Sequence, residues 1–294
     1  MCGIFGIAST KSIRNKLYQG LIKLEYRGYD SSGISGSEVS SKLTTIKATG
    51  PIKNLRTKLT SLTRITTGIA HTRWATHGEA ILKNTHPHLS ENISIVHNGI
   101  IENYIELKSL LKKKGYLFKS DTDSEVISHL IHMNYKKTKN MESSIILTTK
   151  MLKGSYAIGC INTNYPNIIF AACKGSPLII GKGVNENFIA SDIMPILSDT
   201  RHYITLDDNE FAKLTPSKIS IFNANKKIIS KKAKTSKINT EQSSLSGHKH
   251  FMHKEIFEQK AILKEMTNRY IGTNKILPNI FGPGTDKILE NIDH

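Results

Sequence analysis

The chain has 294 residues, 38% hydrophobic and 22% charged, enough for one large domain or two ordinary ones with a substantial core. Its apolar runs, such as Ile168 to Cys173, fall far short of the ~20 residues that cross a bilayer, and its opening Met1-Cys2-Gly3-Ile4-Phe5-Gly6 lacks the features of a secretory signal. No membrane span and a cytoplasmic location are therefore expected. The formal charge of +17 comes from 34 lysines and only seven arginines, dispersed and without interleaved aromatics, which argues against nucleic-acid binding.

In chain order, Cys2 to Ala8 reads as a short apolar strand, and Ile13, Leu17, Leu21 and Leu24 recur at helical spacing before Gly28 and Gly33 break into a turn. Further strands are predicted at 43–47, 66–74, 93–101, 156–162, 168–173, 178–181, 203–206, 211–214 and 219–222, and helices at 52–62, 104–114, 124–134 and 143–152. Strands in runs with helices grouped separately predict α+β layers rather than a repeating βαβ wind. At about residue 225 the composition turns to Lys, Ser and Thr. Residues 2–225 are thus expected to form the principal domain, 226–247 a linker, and 248–294, with one amphipathic helix at Ile256 to Met266, the beginning of another domain.

Three cysteines (Cys2, Cys160, Cys173) without CxxC spacing suggest neither disulfides nor a zinc cage, and Cys160 and Cys173 lie in strand patterns as inert core residues. Cys2 differs by its position. Removal of the initiator Met would leave a thiol and a free α-amine on one residue, with reference pKa values of ~8.5 and ~7.7–8.0, so that the amine can accept the thiol proton. Position alone does not separate this reading from a small buried hydrophobe.

The motifs MCGIFGIA (from Met1), LEYRGYDSSGI (Leu24 to Ile34), GIAHTRWATHG (Gly68 to Gly78), NTHPH (Asn84 to His88), VHNGIIEN (Val96 to Asn103), SDTDSE (Ser120 to Glu125) and NFIASD (Asn187 to Asp192) supply the context. In this order and over about the first 235 residues, the chain resembles the glutaminase part of the isomerising glutamine:fructose-6-phosphate amidotransferases. The resemblance implies a four-layer α/β/β/α sandwich of the N-terminal-nucleophile hydrolase type, the class II glutamine amidotransferase fold. It implies that Cys2 attacks the glutamine amide, passing through a glutamyl thioester, with Asn98 and the Gly99 N–H as oxyanion hole. Arg73 would take the α-carboxylate and Asp123 the α-ammonium of glutamine, Thr76 and His77 would belong to a closing loop, and Trp74 would gate ammonia. Each alone reads otherwise: Asn98-Gly99 as a turn, Arg73 and Asp123 as surface charges, Trp74 as a core aromatic.

The histidines His71, His77, His86, His88 and His97 lack metal-ligand spacing, and the resemblance implies no metal or other cofactor. Arg27 and Asp30 are expected to lie as partners under the active-site loop. Two departures stand out: Ala80 replaces the family's usual Pro, and only the lead-in (His248 to Gln259) of the family's isomerase half is present. Fructose-6-phosphate would thus be reached only through a missing or separate isomerase domain, a homodimer is compatible, and the alternative is a weakly active or inactive remnant, or a subunit that needs a separate isomerase chain.

Overall fold

The computed structural model describes residues 2–38, 43–75, 78–238, 247–248, 251–271, 285 and 287. It divides into two compact units, Met1–Lys237 and Ile238–His294. In chain order the first contains β1 (Gly3–Ser9), α1 (Arg14–Ile22), β2 (Ser31–Glu38), β3 (Leu43–Thr49), β4 (Ile65–Arg73), β5 (His88–Ser90), β6 (Ile93–Ile101), α2 (Tyr104–Lys113), α3 (Glu125–Thr138) and α4 (Met141–Met151). It continues with β7 (Gly154–Asn162), β8 (Ile169–Lys174), β9 (Ile179–Lys182), β10 (Glu186–Ala190), β11 (His202–Thr205), β12 (Glu210–Leu214), β13 (Ile219–Phe222), β14 (Ile228–Ile229) and β15 (Lys234–Thr235).

The strands form two sheets, ordered β15-β11-β9-β10-β1-β4-β2-β3 and β14-β13-β12-β8-β7-β6-β5, with antiparallel pairing throughout. Three apolar clusters define the layers. Phe5 and Ile7 of β1 pack with Leu17 and Leu21 of α1 outside the first sheet, and Ile158 and Phe170 pack with Val126, Leu130 and Ile145 of the helices outside the second. Between the sheets, Ile4, Ala8 and Ile69 meet Val96, Ala157, Ile161 and Ala171. Along β1 and β7 the pleat sends alternate residues into different clusters, so both faces are buried and the strands read as apolar runs. The helix–sheet–sheet–helix order is the four-layer sandwich.

Differences from the sequence reading are local. The helix expected at 52–62 is a 3-10 segment, Ile52–Ser61, burying Ile52, Leu55 and Leu59. Gly33, expected at a turn, lies inside β2 opposite Lys47 and His71. Its missing side chain serves a close approach, since a Cβ there would stand 2.1 Å from the His86 carbonyl oxygen. The edge strands β14 and β15 fall within the stretch read as linker, where Lys-rich composition conceals short pairings onto β13 and β11.

In the second unit, helix α5 (Phe251–Tyr270) runs beyond the predicted Ile256 to Met266 at both ends. Ile256, Phe257, Leu263 and Met266 are exposed on it. No helix of the described residues is long and apolar enough to cross a membrane.

Gly33→Ala forces a methyl against a backbone carbonyl that belongs to another strand connection. We expect it to destabilise the first unit by about 2–3 kcal/mol, read as a lower urea midpoint with unchanged m-value.

Candidate active site

Antiparallel pairing of β1 with β4 places Gly3 opposite Thr72, so the residue before β1 and the residues ending β4 arrive at the same edge. There the Trp74 backbone N–H donates to the Cys2 sulfur at 3.3 Å, and the thiol lies 3.5 Å from the Trp74 carbonyl. The second sheet contributes the end of β6. Asn98 Nδ2 donates to the Cys2 carbonyl oxygen at 2.9 Å, and Gly99 follows with φ +130°, where a Cβ would fall 2.1 Å from the Ser155 carbonyl oxygen. Only glycine fits that backbone, which leaves its amide region uncovered by side chain.

Arg73 is buried, and its Nη1 and Nη2 donate to the carbonyls of Glu79 and Gly78 at 2.9 Å each. Burial lowers its pKa, opposed by Cys2, Asp30 and Asp123, the charges near enough to act on it. A guanidinium stays cationic under such a shift. Asp123 is buried too: Oδ2 accepts the Ile101 N–H at 2.8 Å and Oδ1 the Ser124 hydroxyl at 3.3 Å. The loop that carries it is pinned by Glu125, which accepts from the Lys119 and Ser120 N–H groups and the Ser120 hydroxyl. Burial would raise the Glu125 pKa, but these bonds and His129 outweigh it and hold it at about 2.

Cys2, Asn98, Gly99, Arg73 and Asp123 thus converge. Trp74 is 45% exposed and lies beside Tyr29, with ring centroids 5.7 Å apart, so it is not a core aromatic. Thr76 and His77 lie outside the described residues. The expected partners under the loop are present: Asp30 Oδ2 accepts the Ala75 N–H at 2.8 Å, and Arg27 Nε donates to the Cys2 carbonyl oxygen at 3.3 Å.

Two supports went unassigned in the sequence reading, although both sit in quoted motifs. Asp192 receives Arg27 Nη1 at 3.0 Å and the Tyr26 hydroxyl at 2.7 Å, and Ser191 Oγ accepts the Ile4 N–H at 2.9 Å. Their membership in NFIASD is the only pointer to them; the contacts themselves, of Asp192 with LEYRGYD and of Ser191 with MCGIFGIA, join residues far apart in the chain.

Burial pushes the Cys2 thiol pKa up, with the Trp74 N–H and the Arg73 charge acting against it. At neutral pH the group is a thiol, and attack requires a base to take its proton. Behind it lie His71, His86, His88 and His97, all buried. The rings of His71 and His86 stand 4.0 Å apart, and those of His86 and His88 4.5 Å. Burial lowers all four pKa values, that of His71 to about 3. Among the described residues, no group of three or more His, Cys, Asp or Glu is arranged to hold a metal ion.

Residues 71–198 match the glutamine amidotransferase domain family. The fold is of the class II glutamine amidotransferase, N-terminal-nucleophile hydrolase type. Aligned over its whole length, the chain is 42% identical to the glutamine--fructose-6-phosphate aminotransferase [isomerizing] of Buchnera aphidicola subsp. Baizongia pistaciae and 39% identical to that of Haemophilus influenzae. It covers 49% and 48% of those proteins, so the chain spans about half the length of the curated relatives it matches. Among solved structures, the glutamine phosphoribosylpyrophosphate amidotransferase from B. subtilis aligns over 77% of this chain and 50% of its own, with TM-score 0.66 and 26% identity. A glutamine aminotransferase class-II domain protein from Silicibacter pomeroyi covers 76% of this chain and 99% of its own at TM-score 0.55 and 12% identity, a likeness of fold alone.

The four histidines carry a pH signature. Each titrates lower in the folded chain than the ~6.5 of an unfolded one, so unfolding takes up protons as pH falls below 6.5, and stability drops with it. For His71 the loss continues towards pH 3, at up to about 1.4 kcal/mol per pH unit. Urea unfolding at pH 7.5 and pH 5 should show lower stability at pH 5, with a slope exceeding one proton per molecule.

Proposed function

We propose that this chain hydrolyses the side-chain amide of glutamine through Cys2 and delivers the ammonia to the synthesis of glucosamine-6-phosphate from fructose-6-phosphate. The observation that carries the reading is the Cys2 sulfur within reach of the Trp74 N–H while Asn98, from the opposite sheet, donates to the carbonyl of the same residue. A nucleophile and a neutral donor on opposed rigid strands suit an acyl carbon between them.

In this reading Met1 is removed and the freed α-amine of Cys2 takes the thiol proton as the sulfur adds to the amide carbon. The oxyanion that forms is stabilised by Asn98 Nδ2 and the Gly99 N–H. The C–N bond then breaks, the ammonium of Cys2 returns its proton to the departing nitrogen, and ammonia leaves a γ-glutamyl thioester. Water adds to the thioester with the amine again as base, releasing glutamate and the thiol. Arg73 holds the α-carboxylate, Asp123 holds the α-ammonium, Thr76 and His77 close over the substrate, and Trp74 gates ammonia. The glutaminase domain, read from the sequence as 2–225, extends to Lys237 because β14 and β15 join its sheets, and 248–294 is the lead-in to a sugar isomerase domain. Fructose-6-phosphate is handled by such a domain, which relatives of twice this length have room to carry. The cytoplasm, where glutamine and sugar phosphates are available, is the proposed location, and a homodimer the proposed assembly.

Glutamate release by the purified chain tests the reading, with intact mass confirming that Met1 is gone. Cys2→Ala should abolish turnover while leaving the fold unchanged by circular dichroism. Asn98→Ala should lower kcat about 10²–10³-fold. Arg73→Lys, which keeps the charge but loses the planar fork, should raise KM for glutamine about tenfold or more. A folded chain with Met1 removed and no turnover above Cys2→Ala would reject the glutaminase reading.

A further inference from the structure

His71 stands on β4 of the first sheet, directly behind the end of β6 in the second. Its Nε2 lies 3.0 Å from the His97 carbonyl oxygen and 3.0 Å from Asn98 Oδ1. The opposite end of the same Asn98 amide, Nδ2, donates to the Cys2 carbonyl oxygen. Both neighbours of His71 Nε2 are acceptors, so Nε2 carries the hydrogen. The ring is neutral, because burial holds its pKa near 3, and Nδ1 is therefore the unprotonated nitrogen. Among the described residues no hydrogen-bond partner reaches that Nδ1, so the tautomer is fixed from the Nε2 side.

The consequence falls on Asn98. An asparagine amide has two faces of opposite character, and a half-turn about its terminal torsion exchanges them. Here a half-turn would set the NH₂ against the His71 N–H, donor to donor, and Oδ1 against the Cys2 carbonyl, acceptor to acceptor. In the reversed state an oxygen lone pair would face a developing oxyanion and repel it.

We propose that His71 is a positioning residue for glutamine hydrolysis, its Nε2–H holding the Asn98 amide with the NH₂ turned towards Cys2. The proposal rests on the reading of Cys2 and Asn98 as nucleophile and oxyanion donor. His71 touches no reacting atom and acts only through Asn98. Its effect belongs to the transition state, where the oxyanion exists, and not to glutamine binding, which Arg73 and Asp123 govern.

The experiment is a double-mutant cycle in the full chain, read by glutamate release. His71→Leu fills the site without a donor and should lower kcat about 10- to 100-fold, less than outright loss of an oxyanion donor, with KM changed by no more than about threefold. His71→Gln, which places an amide N–H near the position of Nε2, should restore most of that loss. In the Asn98→Ala background, His71→Leu should cost less than about threefold, because nothing remains to position. If Leu does not fold, His71→Asn, polar but too short to reach, takes its place in the cycle. Equal cost in both backgrounds, a loss carried by KM, or a Gln variant no better than Leu would overturn the proposal. The ¹⁵N-labelled side-chain amide of Asn98 supplies a readout independent of turnover. Its two proton resonances should shift and exchange faster in His71→Leu, and an unchanged signal would overturn the positioning role. Absence of turnover in the unmutated chain would instead reject the glutaminase reading and leave the amide measurement to decide on His71.

Discussion

The site depends on face-to-face packing of two antiparallel sheets. Ile4 and Ile69 press against Val96, Ala157 and Ile161 from the other side, and that contact fixes where the strand ends emerge. Cys2 and Arg73 stand on one sheet, Asn98 and Gly99 on the other. A one-residue slip of β1 or β6 against its paired neighbours would turn all the side chains of that strand to the other face and separate the two halves of the site. The interior is therefore both the core and the ruler of the chemistry.

Two hydrogen bonds carry this register to the surface. Asn98 to the Cys2 carbonyl and His71 to Asn98 both cross between sheets, and both depend on groups withdrawn from water. A hydrogen bond in such surroundings is stronger than at a surface, and a missing partner is costlier. The buried histidines fit this logic. They remain neutral because charging them is penalised, so they join the interior as polar but uncharged groups.

Much of this was legible in the sequence, and for identifiable reasons. Strands buried on both faces leave apolar runs, so β1, β4, β6, β7 and β8 stood out, whereas β2 was hidden by Ser and Gly and by a glycine that serves a contact rather than a turn. The 3-10 segment at Ile52–Ser61 has the apolar spacing of a helix, because the same buried face suits either winding. Cys2, Asn98, Gly99, Arg73 and Asp123 were recognisable only as members of motifs; taken singly, each has a commoner structural reading. Trp74, which taken alone reads as a core aromatic, is 45% exposed beside Tyr29. Asp192, Ser191 and the link from His71 to Asn98 were out of reach, because each needs residues distant in the chain to be brought together, and no local spacing encodes that.

The distribution of the three sulfurs has a practical side. Cys160 and Cys173 are fully enclosed and burial drives their thiols far towards the protonated form, while Cys2 lies at a strand opening and is only part-covered. Reagents in solution thus meet one addressable sulfur per chain. Stoichiometric alkylation becomes a count of accessible thiols, and a single label attached there reports on the edge where β1 begins and β4 ends, with no background from Cys160 and Cys173.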